Sequence, residues 1–252
     1  MKKEFKIQKL AIVTGSAGAI GKAITSKLNS QGFKVIGIDL KPQRSRDLAS
    51  HIKFDLSLLN QNNNDSKDFF NLLIDKLGNK KIDLLVNNAA IQLKDSLDEF
   101  NYLNWSKVMC VNLEAPLLLI HKLKRKFIKH GLIINISSIH ANQTKPGFLS
   151  YSVSKAALSS LTKSLAVNHG ESLRFVGIEP AAVETGMLKS GFGKNYNLLI
   201  KKLKNFHPTN TIAKPSEVAE LVFLITSNKL NFLNGSIIKL DGGISSRLHD
   251  PE

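Results

Sequence analysis

Apolar residues along the chain fall into two alternating patterns. Short runs of β-branched or apolar residues, bounded by Gly, Asn or Asp, recur at Leu10–Thr14, Lys34–Asp39, Asp83–Asn87, Leu132–Ser137, Phe175–Glu179 and Ser236–Leu240. Between them lie longer segments with helical spacing: Ile20–Gln31, Lys67–Leu77, Trp105–Phe127, Tyr151–His169 and Ser216–Thr226. Strands alternating with helices of this length predict βαβ units, and so a parallel sheet with helices on both faces. Right-handed crossovers make the sheet doubly wound, with ligands expected beyond the carboxyl ends of its strands. Two stretches break the pattern. Gln61–Ser66 (QNNNDS) reads as a polar surface loop. Lys189–Lys214, with Gly191, Gly193, Asn195 and Pro208, reads as part of a mobile flap over a site, at 186–214. No repeat or long linker appears, so residues 1–252 are read as one α/β domain.

Composition narrows the class. At 42% hydrophobic and 22% charged, the chain reads as globular, not disordered. One cysteine, Cys110, excludes an intrachain disulfide and a Cys-based zinc site, and the seven His show no metal-ligand spacing. No metal is expected. Apolar stretches are too short for a bilayer and the basic N-terminus lacks an apolar signal core, so the expected compartment is the cytoplasm, with no membrane partner. The formal net charge of +15 is clustered at Lys2, Lys3, Lys6 and Lys9, at Lys122, Lys124, Arg125, Lys126 and Lys129, and at Lys201, Lys202 and Lys204. No aromatic interleaving or nucleic-acid motif accompanies these runs, so they read as solvated faces and a basic arm. A nucleic-acid partner is not expected; an anionic substrate stays open.

The chemistry begins at the first strand, which runs into GSAGAIGKAI. Glycines at 15, 18 and 21 allow a tight turn and close approach of a pyrophosphate to a helix N-terminus. The spacing is GxxGxxG, not the commoner GxGxxG. The second strand ends in Asp39, whose carboxylate can accept both adenosine ribose hydroxyls and would repel a 2′-phosphate, or can simply cap its turn. Lys41 and Arg44 follow and can pair with a 2′-phosphate. NAD is favoured over NADP.

Further on, YSVSK places Lys155 one helical turn after Tyr151. A phenol with a reference pKa of about 10 is a poor acid–base group at neutral pH, and a nearby ammonium is expected to lower it. Upstream, the strand INISS ends in Ser138, placed to donate to a carbonyl or alkoxide oxygen.

With these residues together, the chain resembles the short-chain dehydrogenase/reductase family over essentially its whole length. TGSAGAIG at 14–21 is similar to the family's TGxxxGxG turn, with Ala19 at the middle glycine; NNAA at 87–90 resembles NNAG, with Ala90 at the glycine; PAAVET at 180–185 resembles PGxxxT, with Ala181 at the glycine. NGSIIKLDGG, around Asp241 and Gly242, resembles the last strand and tail. The resemblance implies a Rossmann-like fold, an NAD(P)-linked activity on a secondary alcohol or ketone, and a set of site residues. Asn112, Ser138, Tyr151 and Lys155 would be catalytic, with Asn112 holding a relay water near the lysine. Gly15, Ser16, Ala19, Ile20, Gly21, Asp39, Asp55, Leu56, Asn88, Ala89, Ala90, Tyr151, Lys155, Pro180, Val183 and Thr185 would hold the cofactor. Asp55 and Leu56, after a third strand, would contact adenine.

The substrate is expected against Ser138, His140 and Tyr151, with Gln92, Gln143, Phe148, Met187, Leu188 and Phe192 around it. A sugar, polyol or hydroxy acid derivative is the mild preference. Alternatives are an NADPH-linked reductase of the 3-oxoacyl-carrier-protein type, whose acidic carrier a +15 protein would attract, and a non-catalytic dinucleotide- or nucleic-acid-binding protein. The family resemblance further implies a homo-oligomer, dimer or tetramer, paired through helices at 105–127 and 151–169.

Overall fold

The computed structural model of the chain describes residues 8–59 and 64–248. Seven strands form one sheet: β1 Leu10–Thr14, β2 Lys34–Asp39, β3 Ser50–Lys53, β4 Ile82–Asn87, β5 Phe127–Ile136, β6 Leu173–Pro180 and β7 Ile237–Leu240. Their order is β3-β2-β1-β4-β5-β6-β7, and every neighbouring pair is parallel. The connections run through α1 Ala19–Ser30, α2 Asn64–Leu77, α3 Tyr102–Met109, α4 Ala115–Leu123, α5 Leu149–His169, α6 Gly186–Phe192, α7 Tyr196–Phe206 and α8 Pro215–Ile225.

Why the strands read as continuous apolar runs is visible in β1. Leu10 and Ile12 enter a core with Phe69 and Leu73 of α2 and Leu119 and Leu123 of α4. Ala11 and Val13, on the opposite face, pack with Ile24 and Leu28 of α1 and Val218 and Val222 of α8. A strand buried on both faces needs apolar residues at every position. Order reverses at β1, because the chain goes out through β2 and β3 and returns to β4 on β1's other side. That is the switch point at which a crevice must open.

A polar thread ties the catalytic end together inside this core. Asn87 Nδ2 donates to Asn135 Oδ1 at 2.8 Å, Asn135 Nδ2 donates to Thr162 Oγ1 at 2.8 Å, and Thr162 donates to the Leu158 carbonyl at 2.9 Å. β4, β5 and α5 are thereby held in one register.

Several expectations need correcting. β3 carries no periodic signal because SHIK is a four-residue edge strand with only Ile52 buried. Asn64–Ser66 begin α2 rather than lying in a loop; 61–63 lie outside the described residues. The helix expected at 105–127 is α3, a π turn at Cys110–Glu114, α4 and a 3₁₀ turn at Lys124–Lys126, and Phe127 already belongs to β5. The basic run at 122–129 therefore sits at the amino end of the sheet, opposite the strand ends that bind ligands. Of the basic N-terminal cluster, Lys2, Lys3 and Lys6 also lie outside the described residues. The stretch read as a flap holds α6 and α7. Thr185 caps α6 by accepting from Leu188 N at 3.2 Å, and α7 sets half-buried Leu199 and Leu203 against exposed Lys201, Lys202 and Lys204. No helix among the described residues is long and apolar enough to cross a membrane.

Asn135→Ala strands the Asn87 amide in the core and removes the donor to Thr162, so unfolding free energy should fall by about 1–3 kcal/mol. Urea denaturation of wild type and variant measures this directly.

Candidate active site

A cleft of about 1220 Å³ runs along the carboxyl ends of the strands, lined by Gly15 after β1, Asp39 of β2, Asn88 after β4, Ser138 after β5 and Pro180 of β6. At its narrow turn Gly15 has φ +65°, and a Cβ there would lie 2.8 Å from Ala89 Cα and from Asn88 Nδ2. A Cβ on Gly21 would lie 2.0 Å from the Gly15 carbonyl oxygen. Both positions require glycine. α1 starts at Gly18, which brings no side chain to the first-turn N–H groups, and no acidic residue lies in that turn. Free N–H donors at a positive helix end suit a phosphate. Ala19 and Ala90 at glycine positions of the motifs cause no strain, since neither has positive φ.

Asp39 stands beside this turn. Its Oδ2 accepts from Ala17 N at 2.9 Å and its Oδ1 from Lys41 N at 2.8 Å. The carboxylate is held in place with lone pairs to spare for two hydroxyls. Lys41 lines the cleft, whereas Arg44 does not. Asp55 caps its own turn, accepting from Ser57 N and Oγ, and presents Leu56 to the cleft wall. The residues thus fit a dinucleotide, with a phosphate cradle in the middle and a hydroxyl acceptor at one end.

At the other end lie the reacting groups. Tyr151 and Lys155 are buried on α5, with Lys155 Nζ 5.7 Å from the Tyr151 ring centre and donating to the Ile136 carbonyl at 2.8 Å. Ser138 Oγ accepts from His140 N at 3.2 Å and hydrogen-bonds with the Tyr151 side chain. Burial pushes the Tyr151 phenol up from its ordinary value, opposed by the bond with Ser138. Burial also lowers Lys155 to about 7. The sequence expectation of a lysine-lowered phenol is reversed in the protein alone, because a dry site disfavours both charged forms.

α5 is positioned by residues that sequence reading missed. Asp95 accepts from Ser150 N through both carboxylate oxygens, at 3.1 and 3.2 Å, and so caps the helix from a distant segment. The buried Glu179 accepts from Ser159 Oγ of α5 and from Asn142 Nδ2, both at 2.7 Å. Thr14 and Asn88 bind the glycine turn: Thr14 Oγ1 accepts from Asn88 N and Ala89 N at 3.0 Å, and Asn88 Nδ2 donates to the Thr14 and Gly15 carbonyls. His207 is buried in the cleft wall. Its Nδ1 donates to the Leu203 carbonyl at 2.8 Å, and its buried Nε2 has no partner.

All but two of the residues expected at the site line this cleft, His140, Val183 and Thr185 among them. Ser16 does not: its hydroxyl is buried without a partner, turned toward Gly37, and Ala17 faces the cleft instead. Asn112 does not either. Its amide accepts from Ile91 N at 2.9 Å and donates to Ile91 O and Ser154 Oγ at 3.0 Å. The side chain clamps the segment after β4 to α5.

The family model for enoyl-(acyl carrier protein) reductase matches residues 15–245. The chain is a short-chain dehydrogenase/reductase. This oxidoreductase is 32% identical over 256 residues to 3-oxoacyl-[acyl-carrier-protein] reductase of Aquifex aeolicus, covering 96% of this chain and 99% of that one. It is 29% identical over 245 residues to the enzyme of the same name from Thermotoga maritima, with 94% and 97% covered. Among solved structures it is similar to Thermoplasma acidophilum aldohexose dehydrogenase, at TM-score 0.86 and 28% identity, covering 97% and 98% of the two chains. A short-chain dehydrogenase family protein of Francisella tularensis gives TM-score 0.85 at 28% identity, covering 95% of this chain and all of the other. Membership brings a nicotinamide cofactor and chemistry at an alcohol or ketone carbon.

Lys155 binds its proton less tightly when folded, near 7, than when unfolded, at 10.5, so the unfolded chain holds more protons between those values. Its burial penalty is complete below about pH 7 and is relieved as pH rises toward 10.5. Thermal melts of wild type and Lys155→Met across this window should show wild type gaining on the variant as pH rises. A constant difference would mean that Lys155 is not buried as described.

Proposed function

We propose that this enzyme transfers a hydride between NAD(H) and a small, polar secondary alcohol or ketone. The observation that carries the reading is the joint presence, in one cleft, of Ser138, Tyr151 and Lys155 at one end and the held carboxylate of Asp39 at the other. Bound along the strand ends, the nicotinamide would supply or accept the hydride. The chain's own residues do the rest. The α1 N-terminus and the Gly15 turn would receive the pyrophosphate, and Asp39 the adenosine ribose. Ser138 donates to the substrate oxygen. Tyr151 gives or takes the hydroxyl proton, and its raised pKa keeps it protonated at neutral pH, the form a carbonyl reduction needs. Lys155, poised near 7, sits one turn away to exchange that proton onward. His207 Nε2 would bond a substrate hydroxyl, which suits a polar substrate. α6 and α7, carrying Met187, Leu188, Phe192, Leu199 and Leu203, would form the flap at 186–214 that covers it.

A 3-oxoacyl reductase is the second reading, favoured by the names of the Aquifex aeolicus and Thermotoga maritima relatives. Asp39 weighs against pairing that activity with NADPH, since its charge would face the 2′-phosphate. Exposed apolar residues on the helices, such as Leu103 of α3, Leu117 of α4 and Val153 of α5, support pairing with a second copy.

Fluorescence titration should show NADH binding more tightly than NADPH, with Asp39→Ala narrowing the gap; tighter NADPH binding by wild type would overturn the NAD assignment. Tyr151→Phe should lower kcat by roughly 10²–10⁴ while NADH affinity stays close to wild type. Turnover unaffected by that substitution would remove Tyr151 from the chemistry.

A further inference from the structure

The mouth of the cleft beyond Tyr151 carries positive charge with nothing to balance it. Asp95 and Phe148 form a parallel bridge, with Asp95 N donating to the Gly147 carbonyl at 3.3 Å, so the segments bearing Lys94 and Lys145 run side by side. Both lysines line the same cleft as Ser138 and Tyr151. Lys145 Nζ lies 4.7 Å from the Phe148 ring centre, Phe148 stacks on His140 at 4.7 Å with their planes 2° apart, and His140 meets Tyr151 edge-on at 5.8 Å. An unbroken stack thus runs from a cation to the reacting phenol.

Three carboxylates around this end of the cleft are committed elsewhere. Asp95 points inward and caps α5. Glu179 is buried with Ser159 and Asn142, and Asp241 accepts from Gly243 and Ser245. Among the residues lining the cleft only Asp39 and Asp55 are acidic, and they belong to its other end. Among the described residues the single ion pair, Lys27 with Glu220, lies on α1 and α8. Lys94 and Lys145 repel each other strongly enough that Lys94, after burial, depresses the Lys145 pKa. His140, held near 4 by burial and by Lys145, adds no charge at neutral pH but keeps its ring beside them. Two neighbouring cations beside an apolar ring stack, with no counter-charge, attract an anion.

We propose that Lys145, aided by Lys94, forms an anion-binding subsite at the substrate end of the cleft, and that the substrate carries a carboxylate or phosphate which docks there while its alcohol or carbonyl carbon lies at Tyr151. The subsite itself stands on the cleft's geometry; the substrate class rests on the hydride-transfer reading above. It selects the hydroxy acids and phosphorylated polyols from the wider set of small polar substrates.

Two readouts test it. Calorimetric titration of the NADH-saturated protein with malonate and with inorganic phosphate should give saturable binding. That binding should weaken about tenfold in Lys145→Gln, less in Lys94→Gln, and not at all in Lys204→Gln on the outer face of α7. Stronger malonate binding assigns a carboxylate, stronger phosphate binding a phosphate. In turnover, levulinate should be preferred over its methyl ester, and the ratio of their kcat/KM values should collapse toward one in Lys145→Gln. Equal anion affinity in wild type and Lys145→Gln, or a preference for the ester, would overturn the subsite. Lys145-dependent anion binding with no turnover of either ketone, on NADH or NADPH, would leave the subsite standing and count against the hydride-transfer reading instead.

Discussion

The cleft depends on one small knot of hydrogen bonds between the ends of β1 and β4. Thr14 Oγ1 takes the two N–H groups that follow β4, and the Asn88 amide returns bonds to the carbonyls that follow β1. These backbone groups sit where the sheet parts and no ladder partner remains, so without the knot they would be left unpaired. The knot also holds Gly15 against Ala89, which is why no side chain fits there. Its influence carries further. Ile91, three residues on from Asn88, is clamped by Asn112 from the π turn, and Asn112 reaches Ser154 of α5. The phosphate cradle and the helix bearing Tyr151 and Lys155 are therefore one rigid construction, although they come from opposite ends of the sequence motif set.

Burial then sets the chemistry at the far end. In a site dry enough to raise the phenol and to lower the ammonium to about 7, the phenol holds its proton more tightly than the amine does. The phenol therefore rests protonated at neutral pH. Ser138 acts the other way, since its bond with Tyr151 opposes the effect of burial on the phenol. The carboxylates near this end are all turned to structural work, capping α5 or bracing it, so none of them fixes Lys155 as a permanent cation.

What the sequence revealed follows from how local each feature is. The glycine turn, the strand-end Asp39 and the Tyr151–Lys155 pair each occupy a few consecutive residues whose spacing alone sets their geometry, and the structure brings them into one cleft. The doubly wound sheet was legible for the same reason, strand by strand. What escaped needs tertiary pairing to exist. Asp95 caps a helix more than fifty residues away, Lys94 meets Lys145 only through the Asp95–Phe148 bridge, and Asn112 clamps Ile91. The helix expected to reach residue 127 failed more subtly. The π turn keeps apolar positions near helical spacing through Leu123, and only the left-handed His130 and the following Gly131 mark how early the chain has turned into β5. In α7 the lysines masked an amphipathic stripe that was present throughout.

This division has a consequence for what the relatives can say. The enzymes named for 3-oxoacyl chemistry and for aldohexose oxidation match nearly the whole chain, so the match does not single out a substrate. The residues proposed to hold a cofactor and move a proton sit on the knot, the α1 turn and α5. The wall that meets the rest of the substrate is built from other segments: 92–95, 140–148 and 186–207. Those segments hold no short motif, and they place on the cleft a buried histidine nitrogen with no partner, a ring stack and two uncompensated lysines. Burial does not force their meeting, since both lysines are solvent-exposed and open to an anion. The net positive charge of the whole chain does not explain it either, since the basic run at 122–129 lies at the opposite end of the sheet. On the proposed reading, substrate choice is a property of that wall, separable from the catalysis it serves.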